Sequence, residues 1–149
     1  MSRSDAELKE LIERALEAEP GVDASAIAVA VTDGIVILGG EVPTYSARWM
    51  AVRTAERVVG TRAVVDEIQV RLVDDHIRSD ADIARAAAFA LEWDTEVPDG
   101  VTATVENRII TLHGEVDTPH QREAAERAVR NLMGVRGVVN VIRVRAPVA

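Results

Sequence analysis

Three histidines, a repeated pair of glutamates and a late run of arginines are the side chains of this 149-residue chain with chemistry to offer. Metal or acid–base chemistry would need them gathered at ligand spacing. His76 lies in a connector, His113 at a strand end and His120 at a helix start, none paired with another histidine or a suitable carboxylate. Glu41 and Glu115 each follow an apolar strand. There a carboxylate could bind a cation or cap a neighbouring helix, and polar closure of a hairpin is the simpler account. No phosphate-binding loop, dinucleotide fingerprint or nucleophile elbow is present. Cysteine is absent, which excludes disulfides and thiolate chemistry. The expectation is a protein that is not an enzyme and that uses no cofactor and no metal.

Binding is the better prospect. Arg122, Arg127, Arg130, Arg136, Arg143 and Arg145 face only Glu123 and Glu126 across the last 30 residues. Five of them, Arg122, Arg127, Arg130, Arg143 and Arg145, are candidates for an anionic ligand, because the planar guanidinium fork suits phosphate. Against this, Glu123 to Arg127 and Glu126 to Arg130 are i, i+4 pairs in the favourable order, the decoration of a solvated helix. The aromatic residues Tyr45 and Trp49 fall with Val52 at i, i+4 and i+7, and Phe89 and Trp93 at i, i+4. Each set forms one helical stripe.

The elements that must position these groups occur twice. Ser4-Asp5-Ala6 through Ala15-Leu16-Glu17 matches Ser79-Asp80-Ala81 through Ala90-Leu91-Glu92, and Leu38-Gly39-Gly40-Glu41-Val42 matches Leu112-His113-Gly114-Glu115-Val116. The match runs on through Gly60 with Gly134 and Ile68 with Ile142. In each copy a capped helix with apolar residues at helical spacing comes first. Alternating strands follow around Asp33-Gly34, a dipeptide suited to a type I′ turn; the second copy has Arg108 at the glycine position, leaving Asn107 for the left-handed conformation. A second helix opens at Thr44 or Thr118, and Val64 to Leu72 and Val138 to Val144 read as one closing strand each. Asp66 and Asn140 fall on the apolar face of that strand, where a bond to the Gly60 or Gly134 turn would satisfy them. The fold class is therefore α+β: two tandem αββαβ units, each a mixed three-stranded sheet with two helices on one face. Residues 1–73 and 79–146 form the domains, with a short connector at 74–78.

The repeat is its own control. Met50, Ala51, Ala55, Val58 and Val59 correspond to Ala124, Ala125, Val129, Leu132 and Met133, so these positions read as core. Tyr45, Trp49 and Val52 correspond instead to Pro119, Glu123 and Glu126, while Phe89 and Trp93 replace Arg14 and Ala18. Every aromatic residue thus stands where its twin is not aromatic. Such stripes mark contact surfaces: they bury each other between the copies, build a homo-oligomer, or meet lipid or a peptide.

The ordered set Gly34-Ile35-Val36-Ile37-Leu38-Gly39-Gly40-Glu41-Val42 and Arg108-Ile109-Ile110-Thr111-Leu112-His113-Gly114-Glu115-Val116, followed by Gly134-Val135-Arg136-Gly137-Val138 and Asn140-Val141-Ile142-Arg143-Val144, is similar to the BON (bacterial OsmY and nodulation) domain. The resemblance covers both halves, although the first copy departs from it at Gly60-Thr61-Arg62-Ala63-Val64. It implies a non-catalytic module of the kind linked to envelope and osmotic-stress proteins, with phospholipid as a ligand proposed for the family.

Bulk properties limit the partners. The formal net charge is −8 and the pI about 4.9, which work against nucleic-acid binding. The mean hydropathy of +0.04 is that of a folded chain, and no apolar run approaches the roughly 18 to 20 residues needed to cross a bilayer. The polar start, Met-Ser-Arg-Ser-Asp-Ala-Glu, predicts the cytoplasm, with the periplasm as the alternative if an export signal has been trimmed. Together with what the resemblance to the BON domain implies, the expectation is a stress-associated binding or scaffolding role, with a client protein, a second copy or a peripheral anionic phospholipid surface as partner. A self-associating structural protein is the alternative, and a small-ligand or ion sensor ranks below both.

Overall fold

In the first copy, the Ser4 hydroxyl accepts the Glu7 N–H at 3.2 Å and starts helix α1 (Asp5–Glu17). Leu8, Ile12 and Leu16 follow at four-residue intervals and are fully buried. Each such side chain contributes about 1.5–3 kcal/mol on leaving water. The computed structural model describes residues 4–71 and 78–145. His76 and the connector, apart from Arg78, lie outside the described residues, as does Leu72. The chain divides into two compact units, Met1–Leu72 and Val73–Ala149.

In the first unit, strands β1 (Ile27–Thr32) and β2 (Ile35–Val42) pair antiparallel. Helix α2 (Tyr45–Arg57) follows, started by the Thr44 hydroxyl. Strands β3 (Ala63–Asp66) and β4 (Gln69–Val70) then pair parallel with β2. The second unit repeats the series. Helix α3 (Asp80–Trp93) precedes β5 (Thr102–Glu106), β6 (Ile109–His113) and β7 (Glu115–Val116), and α4 (Pro119–Arg130) precedes β8 (Gly137–Asn140) and β9 (Arg143–Val144). Its sheet order is β5-β6-β8, with β9 on β7. A complete capping box between Thr118 and Gln121, with Pro119 at the first position, begins α4.

The closing segment of each copy is two short strands where one was expected. The break falls opposite Gly40 in the first unit and beside Gly114 in the second, both at positive φ (111° and 129°). A Cβ on Gly40 would run into the Ala26 carbonyl, and one on Gly114 would lie 2.6 Å from the Gly100 oxygen. Register carries across unchanged, with Leu38 opposite Asp66 and Glu41 opposite Gln69. Asp66 and Asn140 do not reach the glycine turns; each accepts the N–H two residues on, from Ile68 and Ile142, at 3.1 Å. This local bond turns the backbone out of the ladder and drops Ile68 and Ile142 into the core.

Ala51 and Ala55 are buried, as are Ala124, Ala125 and Val129. Val59 and Met133, expected in the core, are exposed because α2 ends at Arg57 and α4 at Arg130, and the chain leaves the helical period before reaching them. At the second hairpin both turn residues take positive φ, Asn107 at 50° and Arg108 at 63°, where Asn107 alone was expected to.

Candidate interaction surface

Helix α3 sets out the most prominent side chains of the second unit. Its buried stripe, Ile83, Ala87 and Leu91, faces the core, and Phe89 and Trp93 stand on another face with ring centroids 5.6 Å apart. They are 62% and 70% exposed, in a protein with four aromatic residues in all. Removing such area from water is the largest single gain this surface can offer a partner.

The stripe on α2 is placed differently. Tyr45, Trp49 and Val52 are half-buried, and Val52 packs against the core of the first unit. The Arg53 guanidinium sits 5.0 Å from the Trp49 ring centroid, a cation–π arrangement.

The arginines are largely engaged within the fold. Arg122 donates from Nε to the Ile142 carbonyl at 3.0 Å and from Nη2 to the Asn140 carbonyl at 2.9 Å, while the Asn140 amide donates to the Arg122 carbonyl. It latches α4 to the closing strands. Arg127 reaches Glu96 at 3.3 Å. Arg145 meets Asp117 at 2.8 Å and Glu115 at 3.3 Å, and the Asp117 contact, foremost, raises its pKa above the ordinary arginine value. Arg130 also has an interaction partner. The Arg143 side chain is exposed.

His113 lies 3.2 Å from the Thr104 hydroxyl and His120 lies 3.5 Å from Glu96. Glu41 pairs with Arg71 at 3.0 Å, so both repeated glutamates close a strand pair with an arginine. Among the described residues no group of three or more His, Asp or Glu could hold a metal ion, and no helix is long and apolar enough to cross a membrane.

Two surfaces escaped the sequence reading. One is a groove of about 380 Å³ between α3 and β5, lined by Ala88, Leu91, Pro98, Gly100 and Ala103 among others. The internal control held its signal, since the first copy has Glu13 for Ala88 and Val29 for Ala103. The other is the outward sheet face of the first unit, where Ile35 and Val65 are exposed. Its signal was the unbroken apolar run Ile35 to Leu38 in place of the alternation a half-solvated strand shows.

Residues 4–71 and 79–146 each match the BON domain. No curated protein matches the chain. Among solved structures it is similar to CdsD, a structural protein of the type III secretion system of Chlamydia trachomatis, at 12% identity and a TM-score of 0.41, covering 93% of this chain and 92% of that one. The C-terminal domain of CdsD matches at 11% identity and a TM-score of 0.42, covering 97% and 100%. At these scores the likenesses carry no argument about function.

Proposed function

Since the chain belongs to the BON domain family in both of its halves, we propose that it is a non-catalytic binding module that holds a protein partner on the Phe89–Trp93 face of α3. The observation that carries this reading is the exposure of that tilted ring pair on a helix whose twin bears Arg14 and Ala18. Two large rings held in open water are an unused hydrophobic contribution, and a protein partner can cover both.

An anionic phospholipid surface ranks second. Glu92, Asp94 and Asp99 crowd the aromatic pair in sequence, and Arg122, Arg127 and Arg145 are committed to groups of their own chain. Self-association through the same rings is the remaining alternative. The proposed role is stress-associated, in keeping with the envelope and osmotic-stress proteins to which the family is linked.

A photo-crosslinking residue placed at Phe89 of the full chain, with Arg14 as the twin control, tests the reading in cells. Protein adducts from position 89 that are absent from position 14 support it. Adducts to lipid alone, or none from position 89, overturn it.

A further inference from the structure

Strand β5 is the outer strand of its sheet among the described residues. Its register with β6 sets Glu106 opposite Ile109, Thr104 opposite Thr111 and Thr102 opposite His113 around a two-residue turn. In such a hairpin the pair closing the turn exchanges both hydrogen bonds, and every second pair after it does the same. Thr102, Thr104 and Glu106 therefore spend their backbone groups on β6, and Ala103 and Val105 direct theirs outward. Open edges of this kind are ordinarily blunted by lysine, proline or a bulge, and β5 carries none of these.

The groove between α3 and β5 runs beside that edge, with Ala103 among its lining residues. In the first unit the twin residues Val29 and Glu13 would fill and charge the same place. Phe89 and Trp93 each follow a groove residue, Ala88 and Glu92, along α3. Charge selects the occupant. From Ala86 to Asn107 the chain has no lysine or arginine and has five carboxylates, of which Glu96 is taken by Arg127.

We infer that the β5 edge accepts an extended basic peptide segment as an added strand. The peptide backbone pairs with Ala103 and Val105, one apolar side chain enters the groove against Ala88 and Leu91, and lysine or arginine side chains meet Glu92 and Asp99. Main-chain pairing supplies affinity, and the groove and the carboxylates supply selectivity. This rests on the protein-binding reading above and gives that reading a mode and a partner chemistry.

Selection of random displayed peptides on the immobilised full chain provides the probe. Enriched peptides alternate apolar residues with lysine or arginine. Their affinity falls about tenfold or more with Ala103→Pro, which removes an outward donor and no ladder bond. Ala103→Val, which restores the residue of the first copy and fills the groove, has the same effect and decides the matter if the proline variant fails to fold. No enrichment, or enrichment of acidic peptides, overturns the inference. If Trp93→Ser abolishes binding and both Ala103 variants leave it intact, strand addition falls and the aromatic contact stands; if none of the three variants matters, both fall.

Discussion

The carboxylate of Asp80, at the start of α3, holds the backbone of Arg108 at the tip of the second hairpin, accepting its N–H at 2.8 Å while also accepting that of Asn107 at 3.0 Å. Asp5 does the same for Gly34 and Asp33 in the first unit, at 3.1 and 2.9 Å. One side chain thus ties helix to hairpin and satisfies two turn amides. In the second unit it also sustains a left-handed arginine, a conformation that costs about 1–2 kcal/mol for a residue with a Cβ. Asp80→Ala is therefore expected to lower the stability of the second unit by about 1–3 kcal/mol, and Arg108→Gly to raise it by a fraction of the strain relieved. Urea denaturation of the full chain followed by circular dichroism measures both. An Asp80→Ala variant as stable as the parent would show the clamp to be idle.

Arg122 is expected to act in stability ahead of ligand capture. Replacing it by methionine strands the carbonyls of Asn140 and Ile142, at about 1–3 kcal/mol, while the Asn140 amide keeps its acceptor, the main-chain carbonyl of residue 122. Lysine, with no fork, recovers only part of this. Thermal midpoints of the two variants provide the check, and wild-type stability for Arg122→Met would return this residue to the anion-binding candidates.

Gly114→Ala tests the close approach beside the strand break. The added methyl would meet the Gly100 carbonyl at 2.6 Å in a backbone conformation at φ 129° that L side chains rarely adopt. A loss of about 1–3 kcal/mol is expected, with β7 and β9 losing amide-exchange protection first. Gly39→Ala, which meets nothing within 4 Å, is the control in the first unit.

The two tryptophans should report different surroundings. Acrylamide is expected to quench Trp93, 70% exposed, more strongly than the half-buried Trp49. Fluorescence of Trp49→Phe and Trp93→Phe variants separates the two contributions. Equal quenching would mean that Trp93 is covered in solution.

Acid should release a small increment at the start of α3. Asp82 is held below its ordinary pKa of 3.8 chiefly by the hydrogen bond from Arg85, then by Ser79. A depressed folded pKa contributes stability above the unfolded value and loses it as pH falls through the folded one. The midpoint difference between the parent and Asp82→Asn should be present at neutral pH and close as pH drops below 3.8. A difference that persists in acid would assign the effect to something other than the charge.

Much of the fold could be read from spacing. The Ser4, Thr44, Ser79 and Thr118 caps, the Leu8-Ile12-Leu16 stripe and the Asp33-Gly34 turn are all present where the pattern put them. The candidate surface was legible in part: the repeat singled out Phe89 and Trp93, and it held the Ala103 and Ala88 differences without their meaning being apparent. A groove needs two elements side by side, and neither β5 nor α3 shows it alone.

By itself the sequence determined the helix starts and the hairpins, which rest on contacts between residues a few places apart along the chain, and the duplication and the aromatic positions peculiar to one copy, which need only the two copies laid side by side. Tertiary structure decided the fate of the charges and the course of the closing strands. Arg127 meets Glu96 across 31 residues and Arg122 meets Asn140 across 18. Such partners are chosen when helices dock on the sheet, where geometry in space replaces distance along the chain.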